Sequence, residues 1–132
     1  MPLARQLLGA GALLGAAGVV LGAFGAHALK ALVEPASLPT WDTGVQYQLI
    51  HALALLALAA VAAEGEIVAM AWLRRAGWCL LIGTCLFSGS LYGLVLGGPR
   101  WLGPVTPVGG LVMIAGWLLL LLGAWRGADR SP

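Results

Sequence analysis

Charged residues are scarce in this sequence, and their scarcity indicates the class of protein. Only 9% of the 132 residues are Asp, Glu, Lys or Arg, and 61% are hydrophobic. Charged residues make up about 25% of a typical soluble domain. The sequence therefore predicts an integral membrane protein. Its length suits one membrane domain, residues 1–132, with about four crossings of about 20 residues each.

The sequence also lacks the patterns of several binding sites. Basic and aromatic residues are not interleaved in any run, so we expect no nucleic-acid partner. The two cysteines, Cys79 and Cys85, would lie about 240° apart around one helix, which prevents them from pairing with each other. Neither a CxxC nor an HxxxH spacing occurs, so we expect no metal ion and no cofactor.

Four apolar segments are long enough to cross a bilayer. The predicted spans are residues 7–29, 44–63, 76–97 and 106–125. Residues 67–73 form a shorter apolar segment, followed by Arg74 and Arg75. Carrying these arginines into the bilayer would cost several kcal/mol, so we expect this segment to lie in the membrane interface. Thr106 and Pro107 predict the start of the fourth span, as a cap followed by a first-turn proline.

The first span also resembles a signal peptide, because Arg5 precedes it and Ala26-His27-Ala28 could be a cleavage site. Its apolar run is longer than the usual core of a signal peptide. We therefore expect an uncleaved first helix.

Glycines at helical spacing predict how the spans pack. The first span carries five of them, which we call the glycine seam: Gly11, Gly15, Gly18, Gly22 and Gly25. They share an arc of about 80°, and Leu13, Val20 and Phe24 fall on the opposite side, where we expect lipid. Such a face lets another helix approach closely in a bilayer. With Gly89, Gly93 and Gly116 on later spans, the pattern predicts an all-α four-helix bundle with glycine-rich interfaces.

The positive charges predict the orientation. The N-terminus, the second connector and the C-terminal tail carry five arginines: Arg5, Arg74, Arg75, Arg126 and Arg130. The other two connectors carry Lys30 and Arg100. Both termini should therefore face the cytoplasm. Trp41 and Trp101 would then mark the outer interface, and Trp72, Trp78 and Trp125 the inner one.

The few polar side chains of the spans predict one cluster in the outer half of the membrane: His27, Tyr47, Gln48, His51 and Ser88. Two interpretations are open. The cluster could hold the helices together by hydrogen bonds, or it could form a pocket for a polar ligand or lipid headgroup. We expect no catalytic residue, because the sequence around Ser90 is not G-x-S-x-G and no acid inside the membrane orients His51. Haem ligation is also not expected, since the two histidines would differ in depth by about 8 Å.

Four motifs resemble a known family. They are Leu21-Gly-Ala-Phe-Gly-Ala-His27, the stretch from Trp41 to His51, Leu86-Phe-Ser-Gly-Ser-Leu-Tyr92, and Val105-Thr-Pro-Val-Gly-Gly110. In this order they resemble the domain-of-unknown-function family DUF423 (UPF0382), whose eukaryotic members are called transmembrane protein 256-like. The resemblance implies a small multi-pass protein of the bacterial inner membrane without an established activity.

Two hypotheses for the function follow. In the first, the chain is a non-enzymatic accessory or interaction protein whose partner in the lipid bilayer is another membrane protein. No charged residue lies inside the predicted spans, and several helices carry glycine-rich packing faces. In the alternative, the chain is a small-solute transporter or channel that acts as a homo-oligomer, because one four-helix bundle is too small to alternate access easily.

Overall fold

A computed structural model describes residues 1–65 and 67–128, which form four long helices joined by short connectors. The helices are α1 (Leu3–Ala26), α2 (Leu38–Glu64), α3 (Met70–Val95) and α4 (Leu102–Ala128). All four are long and apolar enough to cross a membrane. The prediction of an all-α membrane bundle is therefore confirmed.

The helices pack mainly in chain order. Extensive contacts join α1 to α2, α2 to α3 and α3 to α4. Within the described residues, α1 and α4 make no comparable contact with each other. They lie on the two flanks of the bundle, and α2 is the most buried helix.

The glycine seam of α1 faces α2. A Cβ atom added to Gly11 would lie 2.9 Å from the backbone carbonyl oxygen of Ala52. At the other end of the seam, a Cβ on Gly25 would lie 2.5 Å from Cδ1 of Trp41. These contacts pair the beginning of α1 with the later part of α2, so the two helices run antiparallel.

A closer backbone contact joins α3 to α4. A Cβ on Gly109 would lie 2.5 Å from the backbone nitrogen of Phe87. A Cβ on Gly83 would lie 2.7 Å from the backbone nitrogen of Met113. Both glycines lie where the two helix backbones come closest, and Gly83 was not among the glycines singled out by their spacing.

The predicted packing glycines of α3 and α4 have different surroundings. A Cβ on Gly116 would lie 2.8 Å from Leu80, and one on Gly93 would lie 2.6 Å from Leu102. Around Gly89, no atom of the described residues lies within 4 Å of the added Cβ. Gly89 therefore takes no part in helix packing within the described residues, and it lies about 200° around α3 from Phe87, which contacts α4.

The end of α1 differs from the prediction. The helix ends at Ala26, and His27 leaves the helical conformation with φ −123° and ψ −87°. A 3₁₀ turn, Ala28–Ala31, follows and places Leu29 in the core at 0% exposure. The predicted span extends to residue 29 because it was based on hydropathy, and hydropathy does not distinguish an apolar residue in a buried turn from one in a membrane helix.

The beginning of α2 also differs. The helix begins at Leu38, so it includes Trp41 and Asp42 of the predicted connector. Pro39 is compatible with this position, because the first four N–H groups of a helix have no intrahelical acceptor. Trp41 is 1% exposed. Its indole is therefore a core residue rather than the interfacial anchor that the sequence predicted.

The lipid-facing side of α1 needs one correction. Leu13 and Val20 are 71% and 67% exposed, but Phe24 packs edge-on against Trp41 with ring centroids 5.5 Å apart. Trp41 reaches Phe24 because the neighbouring Gly25 has no side chain to block the indole.

The helix α3 begins at Met70, so residues 70–73 are its first turn and not a separate segment. Arg74 and Arg75 follow in the same helix, and both are exposed. A helix can include such residues near its end, because long arginine side chains extend toward the headgroups.

The helix α4 begins at Leu102, earlier than Thr106 and Pro107 predicted. Pro107 lies inside the helix, where it removes only the hydrogen bond to the carbonyl group of Gly103. Thr106 is not a cap. Its hydroxyl group lies 2.6 Å from the hydroxyl group of Ser90 and links α4 to α3.

Candidate functional site

A layer of buried polar side chains crosses the middle of the bundle. Its members are less than 5% exposed and belong to α2 and α3: Gln48, His51, Thr84, Ser88 and Ser90. Within the described residues, every buried side-chain nitrogen or oxygen has a hydrogen-bond partner. An unpaired polar group in hydrocarbon would cost several kcal/mol. The layer is therefore hydrogen-bonded throughout in the part of the chain that the structure describes.

Gln48 links three helices. Its Nε2 donates to the carbonyl oxygen of Leu14 on α1 at 2.9 Å. Its Oε1 accepts a hydrogen bond from the hydroxyl group of Tyr92 on α3 at 2.7 Å. The α1 carbonyl is accessible because Gly18, four residues later, has no side chain to cover it. A Cβ there would lie 3.5 Å from Nε2 of Gln48.

Trp41 repeats this arrangement one heptad earlier on α2. Its Nε1 donates to the carbonyl oxygen of Leu21 at 2.9 Å. The residue four positions after Leu21 is Gly25, and a Cβ there would lie 2.6 Å from that Nε1. The glycine seam therefore exposes two backbone carbonyl groups to donors from α2.

His51 uses both nitrogens of its imidazole ring. Its Nδ1 lies 2.8 Å from the carbonyl oxygen of Tyr47, and its Nε2 lies 3.2 Å from the indole Nε1 of Trp117 on α4. A carbonyl oxygen only accepts, and an indole N–H only donates. The ring is therefore the neutral tautomer with hydrogen on Nδ1, and its one lone pair is occupied by Trp117.

The hydroxyl groups of the layer also bond to the bundle itself. Ser88 donates to the carbonyl oxygen of Gly44 on α2 at 2.7 Å. Thr84 donates to the carbonyl oxygen of Leu80 at 2.7 Å and lies 3.6 Å from the sulfur of Met113 on α4. These hydroxyl groups join α3 to both of its neighbours.

A half-open cavity lies beside His51, between α2, α3 and α4. Its volume is about 240 Å³, and its lining is mainly apolar and aromatic: Tyr47, His51, Phe87, Gly110, Met113, Ile114 and Trp117. The Tyr47 ring stacks on His51 at 6.2 Å, and Trp117 meets His51 edge-on at 5.9 Å. Because His51 is already bonded on both nitrogens, the cavity offers shape and aromatic surface rather than a reactive group.

Among the described residues, no group of three or more His, Cys, Asp or Glu side chains is arranged to hold a metal ion. The site is thus defined by its hydrogen bonds and its aromatic lining.

Comparison with known proteins identifies the family. The family described as "Protein of unknown function (DUF423)" matches residues 21–110, a segment that includes Trp41, Gln48, His51 and Tyr92. The chain belongs to the DUF423 family. The resemblance noted in the sequence is therefore confirmed.

Curated relatives of this DUF423 protein are similar over most of their length. The UPF0382 inner membrane protein YgdD of Escherichia coli K12 is 46% identical over 108 residues, which are 82% of this chain and 80% of YgdD. The UPF0382 membrane protein YwdK of Bacillus subtilis is 41% identical over 106 residues, 80% of this chain and 85% of YwdK. A UPF0382 membrane protein of Staphylococcus haemolyticus is 40% identical over 116 residues, 88% and 92% of the two chains. No solved structure matches this chain.

In this DUF423 protein, the buried layer contains three residues of the predicted cluster, and His27 lies apart from it. Gln48, His51 and Ser88 lie in the buried layer, but each bonds to a different partner. Tyr47 stacks on His51 and is 40% exposed. His27 is exposed beyond the end of α1 and does not belong to the layer.

Sequence reasoning missed the role of Trp117. It lies in the middle of α4, whereas membrane tryptophans are commonest at the interfaces. A buried or membrane-embedded indole N–H needs an acceptor. From the sequence alone, this requirement predicts an acceptor for Trp117 inside the bundle, and His51 is the histidine at a similar depth.

Proposed function

We propose that this DUF423 protein is a non-enzymatic membrane protein that acts by binding another membrane protein. The observation that carries the non-enzymatic part of the proposal is the state of His51, whose two ring nitrogens are both engaged, by Tyr47 and by Trp117. A general base or a nucleophile-activating histidine needs a free lone pair. In His51 that lone pair stabilises the contact between α2 and α4.

The arrangement of the helices supports binding in the plane of the membrane. The flanking helices α1 and α4 expose large apolar side chains, such as Leu13 at 71% and Leu111 at 67%. Each flanking helix has one principal neighbour, so most of its circumference is open to lipid or to another protein.

We propose further that both termini face the cytoplasm. Four arginines of the described residues lie at the end of the bundle that carries the termini: Arg5, Arg74, Arg75 and Arg126. Lys30 and Arg100 are the cations of the opposite end within those residues. This asymmetry follows the rule that cytoplasmic loops are enriched in Lys and Arg.

Site-specific photocrosslinking in native membranes tests the interaction. A benzophenone amino acid replaces Leu13 on α1, Leu111 on α4, or the comparably exposed Leu53 on α2. We expect Leu13 or Leu111 to yield one discrete adduct with a single other membrane protein. The matched variant at Leu53 should yield mainly lipid adducts. Loss of the adduct on deleting the partner gene would establish its identity.

Two results would contradict the proposal. Lipid adducts alone at all three positions would show that no protein covers these faces. Adducts only with a second copy of the chain would favour the alternative, an oligomeric transporter or channel. Native mass spectrometry of the protein in mild detergent then measures how many copies of the chain form one complex.

A further inference from the structure

Two arginines from different helices converge on one indole ring at an end of the bundle. The guanidinium carbon of Arg75 on α3 lies 5.8 Å from the ring centroid of Trp72. The guanidinium carbon of Arg126 on α4 lies 5.1 Å from the same ring. Both distances are within the range of a cation–π interaction.

The indole itself is held by the packing of α3 on α4. A Cβ on Gly123 would lie 2.8 Å from Cβ of Trp72. This close approach explains why Trp72 is only partly exposed while both arginines are exposed. The ring is therefore held at the contact between α3 and α4, with both guanidinium carbons at most 5.8 Å from its centroid.

Two guanidinium groups close to one ring repel each other, and an anion that contacts both groups would offset this repulsion. In the sequence, the N-terminus, residues 64–75 and residues 126–132 together carry five arginines, Arg5, Arg74, Arg75, Arg126 and Arg130, against three carboxylates, Glu64, Glu66 and Asp129. The excess of positive charge favours an external anion. Arginine suits a phosphate because its planar fork donates two parallel hydrogen bonds.

The position of Trp72 and Arg126 along their helices indicates that the phosphate belongs to a lipid headgroup. Trp72 lies in the first turn of α3, and Arg126 lies in the last turn of α4. The ends of spanning helices lie at the level of the lipid headgroups. One turn deeper than Arg126, Leu122 is exposed at 40%, so apolar surface continues below the charges, as a lipid tail requires.

We propose that Trp72, Arg75 and Arg126 bind the phosphate group of an anionic phospholipid, in the leaflet on the side of the C-terminus. The two guanidinium groups hold the phosphate oxygens, and the indole keeps both arginines at the α3–α4 contact. This site is separate from the layer around His51, and it does not depend on the function proposed above.

Lipid retention in native mass spectrometry tests the site. The full chain, purified in mild detergent, is mixed with equal amounts of dioleoyl phosphatidylglycerol and dioleoyl phosphatidylcholine. We expect phosphatidylglycerol to be retained preferentially. The double variant Arg75→Gln, Arg126→Gln should lose at least about tenfold of this binding, since it removes the charge-assisted hydrogen bonds.

A control variant with the same change of charge distinguishes a specific lipid-binding site from general electrostatic attraction between the protein and the anionic lipid. The double variant Arg5→Gln, Arg74→Gln removes two cations from the same end of the bundle and should retain phosphatidylglycerol. Thermal unfolding of each variant verifies that it is folded. Trp72→Leu keeps all the charges and should also weaken retention, because the arginines lose the indole ring.

Three results would overturn the proposal. Equal retention of the two lipids would show no selectivity for an anionic headgroup. Equal losses in the two double variants would show general electrostatic attraction. Displacement of phosphatidylglycerol by soluble glycerol phosphate would indicate a site for a free phosphate ester rather than for a lipid.

Discussion

The indole N–H of Trp117 and the Nε2 atom of His51 lie 3.2 Å apart and join α4 to α2. They are the polar link between two helices that otherwise contact each other little within the described residues. The link also sets the tautomer of His51, because the ring must donate from Nδ1 to the carbonyl oxygen of Tyr47.

This geometry predicts how His51 variants behave. His51→Gln should unfold close to wild type, because its amide can donate to the Tyr47 carbonyl and accept from Trp117. His51→Leu leaves the indole N–H without an acceptor and should lower the free energy of unfolding by about 1–3 kcal/mol. Unfolding in mixed micelles measures both. A glutamine variant as unstable as the leucine variant would contradict the assigned hydrogen bonds.

Tyr92 and Gln48 provide a second test of the layer. Tyr92→Phe removes the donor to Gln48 Oε1 and should destabilise the protein by about 0.6 kcal/mol, the mean for hydrogen bonds between membrane helices. Tyr47→Phe is the matched control, because Tyr47 is 40% exposed and contacts His51 through its ring. In a double-mutant cycle, Tyr92→Phe should cost little once Gln48→Leu is present; additive losses would argue against a direct bond.

The contact between α3 and α4 predicts opposite effects for two glycines of the bundle. Gly109→Ala places a methyl group 2.5 Å from the backbone nitrogen of Phe87, which cannot move aside, so we expect destabilisation by about 1–3 kcal/mol. Gly89→Ala meets open space in the described structure and should be neutral or stabilise by up to about 1 kcal/mol, since alanine favours helix. Similar unfolding curves for the two variants would refute the packing.

The glycine seam predicts that two of its glycines differ in how strongly an alanine substitution destabilises the protein. A methyl group on Gly25 meets the buried indole of Trp41 at 2.5 Å, whereas one on Gly18 meets the end of the Leu49 side chain at 2.6 Å. Leu49 can change rotamer and Trp41 cannot move without losing its bond to Leu21. Gly25→Ala should therefore lower the midpoint of thermal unfolding more than Gly18→Ala. The lipid-facing change Val20→Leu should have little effect, and the reverse order would count against this account of the seam.

The orientation is tested by reporter fusions to the C-terminus in a bacterial host. We expect a green fluorescent protein fusion to be fluorescent and an alkaline phosphatase fusion to be inactive, because the phosphatase needs the periplasm to form its disulfides. Active phosphatase would reverse the topology and would move the lipid site of Arg75 and Arg126 to the opposite leaflet.

Composition and hydropathy determined that this chain is a four-helix membrane protein, and its motifs determined its family. A spanning helix must satisfy its backbone internally and present apolar side chains, so the class can be read without knowing any neighbour. Helical spacing also identified the glycine seam on α1, because a stripe on one helix depends only on that helix.

Helix ends and partners required the tertiary structure. Leu29 is apolar in sequence, but only the 3₁₀ turn after His27 places it in the core. Gly89 and Gly109 look alike in sequence, yet only Gly109 meets a facing backbone. The pairing of His51 with Trp117 joins residues 66 positions apart. Such contacts depend on how two helices are rotated toward each other, and that rotation is decided by the packing of the whole bundle.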